Sequence, residues 1–423
     1  MDNILSFIQS SPSCFHVVAN VEELLKKKGF ECLKETEQWK LKTGKGYYVT
    51  RNDSSIIAFR LPDKKDVKGF HMIASHSDSP TFKVKEKPEM AVEEKYIKLN
   101  TEGYGGMIRS TWLDRPLSVA GRVAYSEGNE IKTKLVNVDK DLLVIPNLAI
   151  HMNREINKGF EYQMQTDMLP LFAGSSEEKE NKPTLLKEIA AACGLEEDRI
   201  LGHDLFLYVR EAGRTIGAEG EFILSPKLDD LQCVYTSMQA FAEQKPADYI
   251  NVCAVFDNEE VGSGTRQGAD SSFLEDVLNN ITDGIGGDAG LLRRLVADSF
   301  LISADNAHAV HPNHPEKADP TNRPYLNGGI VIKYHGGQKY TTDATTTAKM
   351  KNICERAGVP WQTYTNRSDI PGGSTLGNIS TAHISVASVD IGLPQLAMHS
   401  AVETAGMKDT AYAIKAFEVF YAE

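Results

Sequence analysis

The sequence predicts an α/β fold interrupted by a β-rich insertion. Strands and helices alternate near the start of the chain and again after Ser225, the pattern of a sheet covered by helices. Between residues 91 and 222 that alternation gives way to short β-like runs separated by Gly, Asn and Asp. Hard metal-ligating side chains follow directly on several predicted strands of the first kind. That places chemistry beyond the carboxyl ends of the sheet, where open α/β folds bind ligands.

At 423 residues the chain is too long for one ordinary core, so two units are expected. Residues 1–90 and 223–423 are expected to form one discontinuous unit, interrupted by the β-rich insertion at 91–222. Phe15, Val18, Val21, Leu24 and Leu25 recur at helical spacing, and Gly29 after a Lys-rich turn stops that helix. Strands are read at 46–50, 55–61 and 70–75, the last running into His76-Ser-Asp-Ser-Pro80. Within the insertion, strands are read at 96–99, 117–124 and 131–138, with a tight turn over 112–117. The polar stretch 173–183 reads as an exposed loop. After Ser225, residues 228–243 read as a helix with Leu231, Val234, Tyr235, Met238 and Phe241 on one side. Residues 249–256 are continuously apolar, as a strand buried on both faces should be. Strands at 300–303 and 330–334 and helices at 341–357 and 408–422 complete the second half.

Composition narrows the function. A formal net charge of -12 argues against sequence-independent binding to nucleic acid or to an anionic membrane surface. Hydrophobic residues at 41% and charged residues at 25% fit a globular chain. The cysteines, Cys14, Cys32, Cys193, Cys233, Cys253 and Cys354, are scattered without a C-x-x-C pair and read as free thiols of a reducing compartment. With no visible leader and no apolar span, the cytoplasm is the expected location.

Five places carry ligand chemistry: His76 with Asp78, Asp229 in Leu-Asp-Asp, the pair Glu259-Glu260, Asp305 in Ser-Ala-Asp-Asn, and His399 in Met-His-Ser. Taken singly, each has an ordinary reading as a helix cap, a solvated carboxylate or a core histidine. Together, carboxylates drawn to one sheet edge would repel one another unless cations neutralise them. Two divalent ions do so, and two histidines favour zinc or a neighbouring transition metal over magnesium or calcium. Of two adjacent glutamates, one can ligate while the other takes a proton.

His76-Ser-Asp-Ser-Pro80, Leu228-Asp-Asp-Leu231, Phe256-Asp-Asn-Glu-Glu-Val-Gly-Ser263, Ser303-Ala-Asp-Asn-Ala-His-Ala-Val-His-Pro-Asn313 and Pro394-Gln-Leu-Ala-Met-His-Ser400 resemble the aspartyl aminopeptidase family, family 18 of the metallopeptidases. Asn147-Leu-Ala-Ile-His151 and the segment from Trp112 to Arg122 are similar to it as well. The resemblance implies a phosphorylase/hydrolase-like zinc-peptidase sheet with helices on both faces. It implies hydrolytic release of acidic or neutral N-terminal residues from peptides, with two zinc ions per subunit and cobalt or manganese as substitutes. His76, Asp229, Glu260, Asp305 and His399 would be ligands, with Asp229 bridging. Glu259 would be the general base, and Asp78 would hold the His76 imidazole. His151 would reach a neighbouring subunit's site in a tetrahedral dodecamer, and His308 would sit near the reacting carbonyl. Lys333 matches a position that meets acidic side chains, although Asn327-Gly-Gly329 lacks the basic residue that precedes this strand in some acid-selective relatives. The Gly-rich stretch 369–377 reads as a loop suited to close approach by a peptide, and no Walker lysine follows it. A carboxypeptidase or deacylase on a similar scaffold is the rival hydrolase; a metal-binding assembly without turnover is the non-enzymatic rival.

Overall fold

Nine strands make the principal sheet, in the order Glu31–Cys32, Gly46–Arg51, Ser55–Arg60, Ile250–Phe256, Phe70–His76, Phe300–Ala304, Ala387–Gly392, Ile330–Tyr334 and Trp361–Thr365. The structure is a computed structural model and describes residues 3–174, 183–373 and 376–423. The four central strands run parallel, and their register aligns Phe256 with His76 and Ser303 with Ala74. Three expected site segments, those after His76, Phe256 and Ala304, therefore leave the same edge side by side.

Side chains along these strands alternate between two apolar clusters, so both faces are buried. Ile73, Cys253, Val255 and Ile302 face one cluster with the helices Cys14–Lys27, Leu228–Glu243, Ala344–Ala357 and Met407–Tyr421. Met72, Ala74, Val252 and Ala254 face the other, with Phe273–Gly284 and Ala289–Ala297. Each fully buried aliphatic side chain here contributes about 1.5–3 kcal/mol. The helix expected at 341–357 begins at Ala344, because the Asp343 side chain accepts from Thr346 N at 2.8 Å while Thr346 Oγ1 accepts from Asp343 N.

A second, six-stranded antiparallel sheet has the order Glu130–Asn137, Leu117–Glu127, Ile200–Val209, Thr81–Val92, Tyr96–Tyr104 and Leu171–Gly174. It has its own apolar cluster around Phe82, Leu99, Trp112 and Leu205, onto which the helix Leu185–Cys193 packs. Its strand Thr81–Val92 starts directly after the His76 segment. In the polar stretch 173–183, Ala173 and Gly174 end a strand, and residues 175–182 lie outside the described residues. A third sheet joins Arg214–Ile216 and Phe222–Ser225 to Glu403–Gly406, Pro394–Leu396 and Ala307–His308. It brings the C-terminal His399 segment beside the start of the Leu228–Glu243 helix.

Candidate metal centre

His76 ends a central strand and is buried, while Asp229 enters from the first turn of the Leu228–Glu243 helix. The backbone departs from helical angles at Asp229 and Asp230, which turns both carboxylates inward rather than leaving them as caps. His76 Nε2 lies 3.6 Å from Asp229 Oδ1, and His399 Nε2 lies 3.5 Å from Asp229 Oδ2. One carboxylate thus faces two imidazoles, one on each oxygen. Glu260 Oε2 is 3.3 Å from His399 Nε2. Donor atoms of His76, Asp229, Asp230 and Asp305 lie within 4.8 Å of one another, and so do those of Asp229, Glu260 and His399. The two groups share Asp229. Glu259 groups with His76 and Glu260 but not with Asp229.

Asp78 organises the surroundings. Its carboxylate accepts from Glu259 N and Glu260 N, both at 3.1 Å, and from the Tyr104 hydroxyl at 2.8 Å. Its Oδ1 also lies 3.4 Å from His76 Nδ1. One side chain therefore fixes an imidazole and the short turn Glu259–Val261. Asn258, just before that turn, has φ +65°, a left-handed conformation that Asn tolerates. Glu403 does comparable work opposite, accepting from Asp229 N at 3.0 Å and His399 N at 2.8 Å. His399 Nδ1 donates to Gly106 O at 2.9 Å, which leaves Nε2 for the cluster. Gly105 has φ +73°, and a Cβ there would come within 3.1 Å of Glu260 Cβ, so the second sheet closes directly over the site.

The electrostatics are those of a cluster short of positive charge. Burial pushes the Glu260, Asp305 and Asp230 carboxyls up, and neighbouring carboxylates add to it. Burial also raises Glu259, to about 7, with Asp305 and Asp78 contributing. Asp229 is held low despite its burial because His399 and His76 face it. Burial lowers His399, but Asp229 and Glu260 outweigh it and bring it to about 10. Asp229 Oδ1 and Glu260 Oε1 are buried without a hydrogen-bond partner. Orphaned oxygens of this kind fit cations, whose binding would displace the imidazole protons.

The cluster forms one wall of a cavity of about 290 Å³ that also includes His308, Lys333, Tyr340, Tyr364 and Asn366. Lys333 is only 3% exposed, and its Nζ lies 3.8 Å from Asp305 Oδ2. Its ammonium is therefore held inside the cavity rather than at the surface. His308 is solvent-accessible at the same cavity. His151 is exposed in a turn of the second sheet's connections and does not line the cavity within one chain. Gly373 lines it, but Ser374 and Thr375 of the Gly-rich stretch lie outside the described residues, and a helix begins at Leu376. Asp230, Tyr104 and Glu403 were not singled out by the sequence. Asp230 offered its adjacency to Asp229 as a signal; Tyr104 and Glu403 offered none.

The family described as "Aminopeptidase I zinc metalloprotease (M18)" matches residues 7–421. A "Probable M18 family aminopeptidase 2" of Clostridium novyi (strain NT) is 48% identical, covering 99% of this chain and 98% of its own length. The structure described as "Cryo-EM structure of the Ape4 and Nbr1 complex" superposes with a TM-score of 0.96 at 37% identity, covering 99% of this chain and 84% of that one. The one described as "Structure of S. cerevesiae mApe1 dodecamer" gives 0.85 at 28% identity, covering 99% and 95%.

Proposed function

Because this chain belongs to the M18 family of zinc aminopeptidases, we propose that it releases N-terminal residues from peptides at a centre that would hold two zinc ions, with Asp229 as the ligand common to both. The carrying observation is the geometry of that one carboxylate, with His76 facing one oxygen at 3.6 Å and His399 facing the other at 3.5 Å. His76 and Asp305 would complete one ligand set, Glu260 and His399 the other. Cobalt and manganese suit the same N/O donors as substitutes. When bound, two such ions supply Lewis acidity and lower the pKa of water.

The chain's own residues do the rest. Glu259 stands beside the ligands His76 and Glu260, suited to accept a proton from water and return it to the leaving amine. Asp78 fixes its backbone, and so the reach of its side chain. The peptide's amino group pairs with the carboxylates of the cluster, and His308 lies on the cavity wall where the scissile carbonyl would rest.

Lys333 supports a preference for acidic N-terminal residues, because it presents a buried positive charge inside the cavity. A charge-assisted hydrogen bond is worth about 1.5–3 kcal/mol. On a panel of aminoacyl substrates, Lys333→Ala should therefore lower kcat/KM for an aspartyl substrate about 10- to 100-fold and for a leucyl substrate much less. Equal losses on both would contradict a role in recognition. In the same assay, chelation should abolish turnover, zinc should restore it, and N-acetylated peptides should resist cleavage.

For the assembly we infer a homo-oligomer, a dodecamer in full. We assign the oligomer contacts to the insertion expected at 91–222, which carries all of the second sheet except most of its strand Thr81–Val92. Support comes from its separate core and from the exposed Leu148, Ile150, Met152 and Phe160 beside His151. In that assembly His151 reaches a neighbour's site. An assembled His151→Ala enzyme should turn over more slowly; unchanged kinetics in an intact assembly would remove the role. The free cysteines support a reducing, cytoplasmic setting, and no described helix is long and apolar enough to cross a membrane.

A further inference from the structure

A second cavity, of about 340 Å³, adjoins the metal cavity and shares His308, Tyr364, Asn366 and Gly373 with it. The two differ in charge. The metal cavity carries the carboxylates of Asp229, Glu259, Glu260 and Asp305. No carboxylate lines the second among the described residues; its cations are Lys317 and Arg367, and Ile370 and Leu396 add apolar surface.

The two cations are brought together by the chain itself. Arg367, just past the strand Trp361–Thr365, pairs with Asp369 through Nε and Nη2 at 2.9 and 2.8 Å, and its Nη1 donates to Glu316 O. It thereby holds the short turn Pro315–Lys317 against the end of that strand. With the guanidinium so engaged, the exposed ammonium of Lys317 is the cation without a hydrogen-bond or ion-pair partner among the described residues of this lining. Asn366 stands where the cavities join. Its Oδ1 accepts from the Tyr364 hydroxyl at 2.6 Å, while its Nδ2 is buried without a hydrogen-bond partner. A peptide crossing there offers carbonyl oxygens as acceptors.

The substrate's own direction leads the same way. Its amino group meets the acidic cluster, and its first side chain is directed to Lys333, which lines the metal cavity and not the second. His308, placed beside the scissile carbonyl, lines both, so the chain that follows that carbonyl leads into the second cavity. Resting on the aminopeptidase reading above, we propose that the second cavity receives the part of the substrate beyond the cleaved bond, and that Lys317 pairs there with the free α-carboxylate of a short peptide. Carboxylates at one end and an unpaired ammonium at the other match the two charged ends of a tripeptide. Arg367 acts through the turn as a positioning residue.

The test compares kcat/KM of the zinc-loaded full chain on Asp-Ala-Ala and on the same tripeptide with a C-terminal amide. The N-terminal residue is common to both, so the metal cavity meets the same group. The free acid should be favoured about three- to fivefold, the worth of an exposed ion pair, and chiefly through KM, because the carboxylate is held alike in the ground and transition states. Lys317→Gln should remove the difference between acid and amide, and Lys317→Arg should keep most of it. Equal kcat/KM for acid and amide on the unmutated chain would overturn the proposal, as would an acid preference that Lys317→Gln leaves intact. It would also fall if amidation of Asp-Ala-Ala cost nothing while amidated Asp-Ala-Glu outpaced amidated Asp-Ala-Gln, since Lys317 would then read an acidic side chain. Cleavage of neither tripeptide would sink the aminopeptidase reading itself, an outcome distinct from cleavage of both at equal rates.

Discussion

Glu259→Gln should retain its metal and lose turnover by about 10²- to 10⁴-fold, the range of a general base. The substitution preserves volume, and the amide can still lie beside His76, but it cannot take up a proton. Glu259 belongs to neither of the donor groups that contain Asp229, so its substitution should leave both of those groups intact. A loss of this size corresponds to about 3–5 kcal/mol of barrier, at 1.36 kcal/mol per factor of ten. KM should change little, because the proton moves in the transition state rather than on binding. Metal analysis beside steady-state kinetics checks it. A variant with full metal and substantial activity would reassign the base.

Asp229→Asn should lose more. The carboxylate faces His76 on one side and His399 on the other, so one charge serves both ligand groups. An amide presents a single oxygen acceptor and no charge, and neither group keeps its shared member. Metal content should fall to at most one ion per chain, and activity by at least as much as in Glu259→Gln. Asp305→Asn touches one group only, so it should cost one ion and spare the other. Full occupancy in Asp229→Asn, measured by elemental analysis on the folded protein, would mean that the carboxylate does not bridge.

Much of this site was legible because the strand-end rule is local. A buried apolar run followed at once by His76, by Glu259-Glu260 or by Asp305 marks a residue leaving the sheet edge, and those three segments meet there. Asp229 alone read equally well as a cap, and His399 as a core histidine; the order of the motifs decided them. What escaped depends on contacts between distant parts of the chain. Glu403 reaches Asp229 across 174 residues, and Tyr104 reaches Asp78 from the second sheet. Nothing near either residue in sequence hints at those partners. Lys333 could be read as an edge residue or a pocket residue, because a strand's position within its sheet is invisible in one dimension. Ile330–Tyr334 lies between two other strands, and that neighbourhood buries the lysine against Asp305. The helices Phe273–Gly284 and Ala289–Ala297 lie outside the elements expected from the sequence, although Phe273, Val277 and Ile281 recur at helical spacing.

The most direct measurement is an anomalous difference map from crystals of the zinc-loaded protein. Two peaks about 3.5–4 Å apart, on opposite sides of the Asp229 carboxylate, are the expected result. A single peak there, or zinc bound elsewhere with the Asp229 oxygens unengaged, would contradict the shared two-ion centre.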